Sequence, residues 1–278
     1  MKEGEKVQTG VDSLDILLRG GFPLHTVNLV SGPPGSGRSL LCMQFIYYGV
    51  EKHDEPGLYI TLEENHQSLV KAMKSFGMRP ELYEGEGDLT LADLGWFSKE
   101  LGPASEAPAG LAGMDILRER GRQNRVDMEW LKSESDAREE LEQGYVGFRT
   151  LREVVDHMAD KCRIKRLAVD SVAAIGLLSA SPDQFRKELF SFGRFLRDKK
   201  ITSLLVTESG GPANAVRFGV EHFLADTHIC LNARNLKGEF LRTITVQKMR
   251  FGMHDSGVHP FTITPRGVEI NTREFVKF

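Results

Sequence analysis

The sequence predicts an α/β fold with a mainly parallel central sheet flanked by helices and antiparallel strands at its C-terminal end. Short apolar runs alternate with helical patterns through most of the chain, the order expected of a parallel sheet covered by helices on both faces. The glycine-rich stretch Gly32-Pro33-Pro34-Gly35-Ser36-Gly37-Arg38-Ser39 lies between one such run and one such helix. After Asp226 the helical patterns stop, and short β-patterned runs follow one another on tight turns.

Thr26–Ser31 (TVNLVS) reads as a buried strand. Arg38–Glu51 follows as a helix, with Leu40, Leu41, Phe45 and Ile46 on recurring faces. Gly57–Leu62 is a second strand, and His66–Phe76 a helix ended by Gly77 and Pro80. A helix over Phe148–Cys162 precedes the strand Lys165–Asp170. A long helix over Pro182–Lys199 precedes the strand Thr202–Thr207. Thr227–Asn232, Leu241–Lys248, Phe261–Thr264 and Val268–Ile270 then read as hairpins extending the sheet, with Lys237–Gly238 as one turn.

The stretch from Trp96 to Gly144 breaks the alternation. It opens with LGPASEAPAGLAG, a flexible loop by composition. It continues with the highly charged Ile116–Gln143, which reads as one or two solvated helices. The expected organisation is one domain over 1–278 with a charged insertion at about 97–145, and no internal repeat is visible.

A chain of 278 residues with 40% hydrophobic and 27% charged residues can build a sizeable core. Its net charge of −3 provides no global basic field for nucleic acid or anionic membrane. No apolar run approaches the roughly 20 residues of a membrane-spanning helix. Cys42, Cys162 and Cys230 lie far apart without metal-ligand spacing. Buried free thiols in a reducing, cytoplasmic setting are expected.

The glycine-rich stretch fits G-x-x-x-x-G-K-[ST] at every fixed position except the lysine. Glycines let backbone N–H groups converge on phosphate oxygens, and the helix that follows adds the positive end of its dipole. Gly35, Ser36, Gly37, Arg38, Ser39 and Leu40 are therefore the expected phosphate-binding residues, with the Ser39 hydroxyl on Mg²⁺. A ligand-free glycine turn is the blander alternative. Arg38 keeps the charge of the missing lysine but is planar, wider and forked.

Asp170 ends the apolar strand LAVD, at the carboxyl edge where parallel sheets bind ligands. It suits a second Mg²⁺ ligand, direct or through water. Glu63 and Glu64 follow the strand LYITL at the same edge. Position alone leaves two uses open: one carboxylate polarises an attacking water, or Glu64 and Asn65 begin the next helix, where acidic residues are favoured. Lys248 and Arg250 share a strand face at period two, which suits a triphosphate as well as a solvated surface.

With these residues in view, the chain resembles the KaiC-like ATPases, a branch of the RecA superfamily of P-loop proteins. The likeness spans Thr9–Asn271 apart from the insertion. It rests on TGVDSLDILLRGGFP, GPPGSGRS, YITLEE, SFG, LAVDS, LLVTES, RFGVEHFLAD and KMRFGMHDSGVHPFTITPRGVEI, in that order. The resemblance implies a RecA-like fold, ATP as ligand, and Glu63 and Glu64 as paired catalytic glutamates. It implies that Ser75 lies near the adenine. It also implies that Lys248, Met249, Arg250 and His254 meet the nucleotide of a neighbouring subunit in a hexameric ring.

Three departures stand out. Arg38 replaces the phosphate-loop lysine, and Phe251 follows KMR where the family usually has glycine. His222-Phe223-Leu224-Ala225-Asp226 lacks the Ser-Thr pair that one domain of the family's clock protein phosphorylates.

The expected function is a slow Mg²⁺-dependent ATPase acting in signalling or regulation through ring assembly. A non-hydrolysing ATP-sensing scaffold is the alternative favoured by Arg38. A recombinase-like DNA-binding ATPase ranks third. The basic run Arg118–Arg125 is followed by Glu134, Asp136, Glu139, Glu140 and Glu142, a self-compensating solvated charge pattern. The insertion is a candidate docking surface for a protein partner.

Overall fold

In the computed structural model the described residues are 5–95, 137, 140, 145–178, 181–208, 224–236 and 239–276. Among them the chain runs β1 (Lys6–Val7), α1 (Asp12–Leu17), β2 (Phe22–Pro23), β3 (Val27–Gly32), α2 (Arg38–His53), β4 (Gly57–Thr61), α3 (His66–Ser75), α4 (Glu81–Glu84) and β5 (Leu89–Asp93). It continues with α5 (Phe148–Cys162), β6 (Arg166–Asp170), α6 (Val172–Leu178), α7 (Pro182–Asp198) and β7 (Thr202–Glu208). The C-terminal strands are β8 (Thr227–Leu236), β9 (Glu239–Met249), β10 (His259–Thr264) and β11 (Gly267–Ile270).

The main sheet has the order β11-β10-β9-β8-β3-β7-β6-β4-β5. From β8 to β5 every neighbouring pair is parallel, and β8/β9, β9/β10 and β10/β11 are antiparallel. The mainly parallel sheet with C-terminal antiparallel strands is thus present. β8 is a hinge in the topology, parallel to β3 on one side and antiparallel to β9 on the other. The expected Lys237–Gly238 turn lies outside the described residues, between the paired Leu236 and Glu239.

Two hydrophobic clusters cover the two faces. Leu29, Leu58, Ile60, Leu167, Val169 and Leu205 face the side of α5 and α7. Val30, Tyr59, Leu91, Ala168, Leu204 and Val206 face the side of α1, α2 and α3. Successive residues of one strand enter opposite clusters because side chains alternate across a strand. That explains why the central strands read as unbroken apolar runs.

Arg166 fastens the N-terminal segment to this framework. Its side chain is 1% exposed, and Nη1 donates to the carbonyls of Gln8 (2.8 Å) and Phe45 (3.0 Å) while Nη2 meets Glu55 at 2.6 Å. A buried guanidinium is tolerable only with its donors met in this way.

The sequence reading needs correction at two places. Glu140 belongs not to a solvated charged surface but to the interior, 4% exposed. Its carboxylate accepts from the backbone N–H of Gly147, Arg149 and Thr150 and from the Thr150 hydroxyl. It thereby caps the first turn of α5, where orphan N–H groups favour an anion. The thiols also differ, since Cys42 is buried while Cys162 and Cys230 are half-buried. Most of the insertion, including the basic run Arg118–Arg125, lies outside the described residues.

Candidate functional site

The turn between β3 and α2 is shaped by its glycines. Gly37 has φ +95° and begins α2 with no side chain capping the helix. A left-handed residue there releases the first N–H groups of α2 toward the space above the sheet edge. Gly32 permits a close approach: a Cβ there would lie 2.6 Å from Ser36 Oγ and 2.9 Å from the Leu231 carbonyl oxygen. The Ser36 hydroxyl is buried and meets no hydrogen-bond partner among the described residues. Buried polar groups ordinarily have partners, so this hydroxyl, the uncapped helix start and the open space beside Gly35 fit a polyphosphate.

The carboxylates stand on the same edge. The phosphate turn leaves β3, Asp170 ends β6 two strands away, and the segment after β4 carries Glu63 and Glu64 one strand further. Thr61 and Asp170 are register partners. Tyr59 donates its hydroxyl to Asp170 Oδ2 at 2.8 Å. The Asp170–Ser171 peptide bond is cis, and the Ser171 hydroxyl donates to Glu63 Oε1 at 3.2 Å.

Thr61 fixes the backbone of the two glutamates. Its hydroxyl accepts from the N–H of Glu63 (3.3 Å) and Glu64 (2.9 Å) and donates to the Glu64 carbonyl (3.1 Å). Of the two residues expected at the helix start, Asn65 is the N-cap of α3, its side chain accepting from Ser68 N–H. Burial raises the Glu64 carboxyl above its ordinary range, and the negative charges of Asp170 and Glu63 push it further. Burial, reinforced by Asp170, likewise pushes the Tyr59 phenol well above its ordinary range.

Two cations flank the phosphate turn. Arg38 Nη1 donates to the Thr207 carbonyl at 2.8 Å, and its Nη2 lies 3.2 Å from Glu208 Oε1. Arg242 Nε, at the start of β9, donates to the Gly35 carbonyl at 3.4 Å. Sequence reasoning did not single out Tyr59, Thr61, Glu208 or Arg242. The first three lie inside or at the end of apolar strands next to motif residues. Arg242 reaches the turn only through the β8–β9–β10 pairing, which places it opposite Ala233 and Phe261.

Lys248, Met249 and Arg250 lie elsewhere. Arg250 N–H donates to the Asp226 carbonyl at 2.7 Å, and its guanidinium lies 3.6 Å from the Asp226 carboxylate. That carboxylate also accepts from Val27 N–H at the start of β3 and from Arg197. Lys248 and Arg250 therefore stand at the amino edge of the parallel sheet. The phosphate turn is at the carboxyl edge, about 17–20 Å away at ~3.3 Å per strand residue.

Met249 turns into the core, 8% exposed, while Lys248 is half-buried and Arg250 exposed. Burial lowers the Lys248 ammonium below its ordinary range. Arg250 and Arg197 lower it further, and Asp226 offsets part of this. Phe251 has φ +65° and is 76% exposed; the left-handed backbone there is one that favours glycine.

His254 is half-buried in the same turn. The fully buried histidine nearby is His259, which bonds Asp255 and the Glu274 carbonyl and packs on Phe275. Ser75 is exposed at the far end of α3, its hydroxyl donating to the Ala72 carbonyl. That is about 15 Å along the helix from the glutamates, at ~1.5 Å per residue.

Among the described residues no three His, Cys, Asp or Glu side chains form a metal cluster. Mg²⁺ is commonly held by one or two carboxylates together with phosphates. Ser39 and Asp170 are the residues that would hold it. Also among the described residues, no helix is long and apolar enough to cross a membrane.

A family model described as the KaiC ATPase matches residues 7–106 and 109–274. The "Circadian clock oscillator protein KaiC" of Parathermosynechococcus lividus is 31% identical over 268 residues, 95% of this chain but 42% of that protein. The chain thus spans less than half the length of such clock proteins. A "UPF0273 protein" of Methanopyrus kandleri is 31% identical, covering 98% of this chain and 95% of its own length. The crystal structure of a KaiC-like protein from Pyrococcus horikoshii superposes with TM-score 0.71 at 26% identity, covering 96% of this chain and 99% of that one.

Proposed function

This chain belongs to the KaiC ATPase family, and from that premise we propose that it binds ATP with Mg²⁺ and hydrolyses it slowly, acting in regulation through ring assembly. One observation carries the reading. The uncapped start of α2, with the unpartnered Ser36 hydroxyl beneath it, opens on the same sheet edge as Asp170, Glu63 and Glu64.

Each residue then has a task. Backbone N–H groups between Gly35 and Leu40 bind phosphate oxygens, apart from that of Ser36, which donates to the Pro33 carbonyl at 3.2 Å. Ser39 and Asp170 would hold Mg²⁺, whose charge would offset that of the bound phosphates. Glu64, less acidic than an ordinary glutamate, accepts the proton of the attacking water. Glu63 is oriented by the Ser171 hydroxyl and adds the second carboxylate. Tyr59 holds Asp170 in place. Ser75 and His254 are assigned to the base and to the subunit interface by the family resemblance.

A second reading, an ATP-sensing scaffold with little or no turnover, is favoured by Arg38. Its guanidinium is engaged with β7, and a charge displaced by ~1 Å from its productive position can cost roughly a hundredfold in rate.

Titration with Mg²⁺–ATP beside a phosphate-release assay separates the two readings. The enzyme both binds and releases phosphate, whereas the scaffold only binds. A Gly37→Val/Ser39→Ala variant should lose Mg²⁺-dependent binding by at least about tenfold, since it loses the left-handed turn and the metal hydroxyl together. Unchanged affinity in that variant would remove the phosphate turn from the site.

A further inference from the structure

Arg38 stands where the phosphate-loop pattern has lysine, and its charge is directed away from the turn. Nη1 donates to the Thr207 carbonyl at 2.8 Å, and Nη2 reaches Glu208 Oε1 at 3.2 Å. Both acceptors close β7, the strand beside β3. The Arg38 side chain is 12% exposed and that of Glu208 48%, so the arginine is held against the sheet edge while the carboxylate stays open to solvent.

A planar guanidinium can bridge a backbone carbonyl and a carboxylate at once. A lysine ammonium is a compact point charge with no such fork. The same substitution that alters the phosphate turn thus creates a guanidinium that Glu208 can hold.

We propose that Glu208 is a positioning residue of the nucleotide site, whose carboxylate holds the Arg38 guanidinium on β7 so that the phosphates of a bound nucleoside triphosphate compete with Glu208 for that charge. This rests on the ATP-binding reading above. Glu208 weakens nucleotide binding in two ways. It occupies one of the two cations that flank the turn, and it sets a negative charge beside a polyphosphate. Only the first depends on Arg38, so the two effects are separable. The Thr207 carbonyl keeps one contact to the guanidinium when Glu208 is neutralised, which limits the gain.

The test is a double-mutant cycle on the full chain. Mg²⁺–ATP binding is measured by calorimetry for the wild type, E208Q, R38K and E208Q/R38K, with thermal melts confirming that all four fold. Partly exposed ion pairs couple weakly, so E208Q should tighten binding by about three- to fivefold in the wild-type background. In the R38K background the gain should fall to about 1.5-fold or less, the general repulsion alone.

Equal gains in both backgrounds would mean that Glu208 only repels phosphate, and the hold on Arg38 would be overturned. No gain from E208Q, with the wild type binding normally, overturns the proposal and leaves the ATP reading standing. Absence of binding in all four proteins removes both together.

Discussion

At the scale of single residues, Glu64 is the side chain whose chemistry is most exposed to test. Its carboxyl is raised first by burial and then by the charges of Asp170 and Glu63. A general base works only when ionised, so turnover should fall as pH drops through a value above the ordinary 4.5 of glutamate. E64Q should lower kcat by about 10²–10⁴-fold, abolish that acid limb, and change ATP affinity far less. Phosphate release followed across pH 4.5–8 checks this, and an unchanged acid limb in E64Q would assign the titration to another group. The glutamates, Asp170 and the phosphate turn were legible in the sequence because each ends a recognisable strand. The residues that hold them were not. Thr61 and Tyr59 look like ordinary strand residues, and their roles arise from neighbours 2 to 111 positions away. Arg38 was legible as a departure but its partner was not, because Glu208 lies 170 residues on.

At the scale of elements, the long strands and helices from β3 to β7 were predicted within about two residues, since unbroken apolar runs and 3.6-residue periodicity mark them plainly, whereas β8 runs on to Leu236, past its expected end at Asn232. The pieces that escaped are short. β5 is five residues at the sheet edge, while β1 and β2 pair over two residues each, with Lys6 opposite Pro23 and Val7 opposite Phe22. Such pairing is decided by tertiary contact rather than by local pattern. α1 is short too, and it carries a testable charge. Asp15 accepts from Thr9 N–H at 2.8 Å, and burial raises its carboxyl from 3.8 to about 6. Asp12 adds to the rise, while the Thr9 hydrogen bonds and Arg166 oppose it. The folded state therefore binds this proton more tightly than the unfolded state. The stability it contributes is fully present below pH 3.8 and is lost as pH rises through about 6. Asp15→Asn keeps an acceptor for Thr9 and removes the ionisation. It should be more stable than the wild type at pH 7–8, by on the order of 1–2 kcal/mol given that Asp15 is only partly buried. The gap should close below pH 4. Urea midpoints at pH 4 and pH 8 check it, and a difference that ignores pH would rule out burial of the charge as its cause.

At the scale of the whole molecule, the sheet separates two sets of proposed functional residues that the sequence could only count together. The phosphate turn, Asp170, Glu63 and Glu64 occupy the carboxyl edge, while Lys248 and Arg250 gather with Arg197 around the buried Asp226 at the amino edge. Six residues of β3 lie between them. That is about 20 Å in an extended strand, well beyond the reach of an arginine side chain. If Lys248 and Arg250 act on a nucleotide, they act on that of another copy, as in the ring implied by the family resemblance. A ligand held by two protomers stabilises their contact by mass action, so Mg²⁺–ATP should promote assembly. Arg250→Ala leaves Asp226 its contacts to Val27 N–H and Arg197, and folding should survive while turnover falls by at least about tenfold. Glu63→Ala/Glu64→Ala should be inactive for the opposite reason, lacking the carboxylates but not the cations. Mixing these two impaired proteins creates some interfaces that join an intact glutamate pair to an intact Arg250. Partial recovery of phosphate release is therefore expected, largest near equal proportions. If the two variants assemble together, as shown by light scattering and cross-linking, yet no activity returns, Arg250 does not act across the interface.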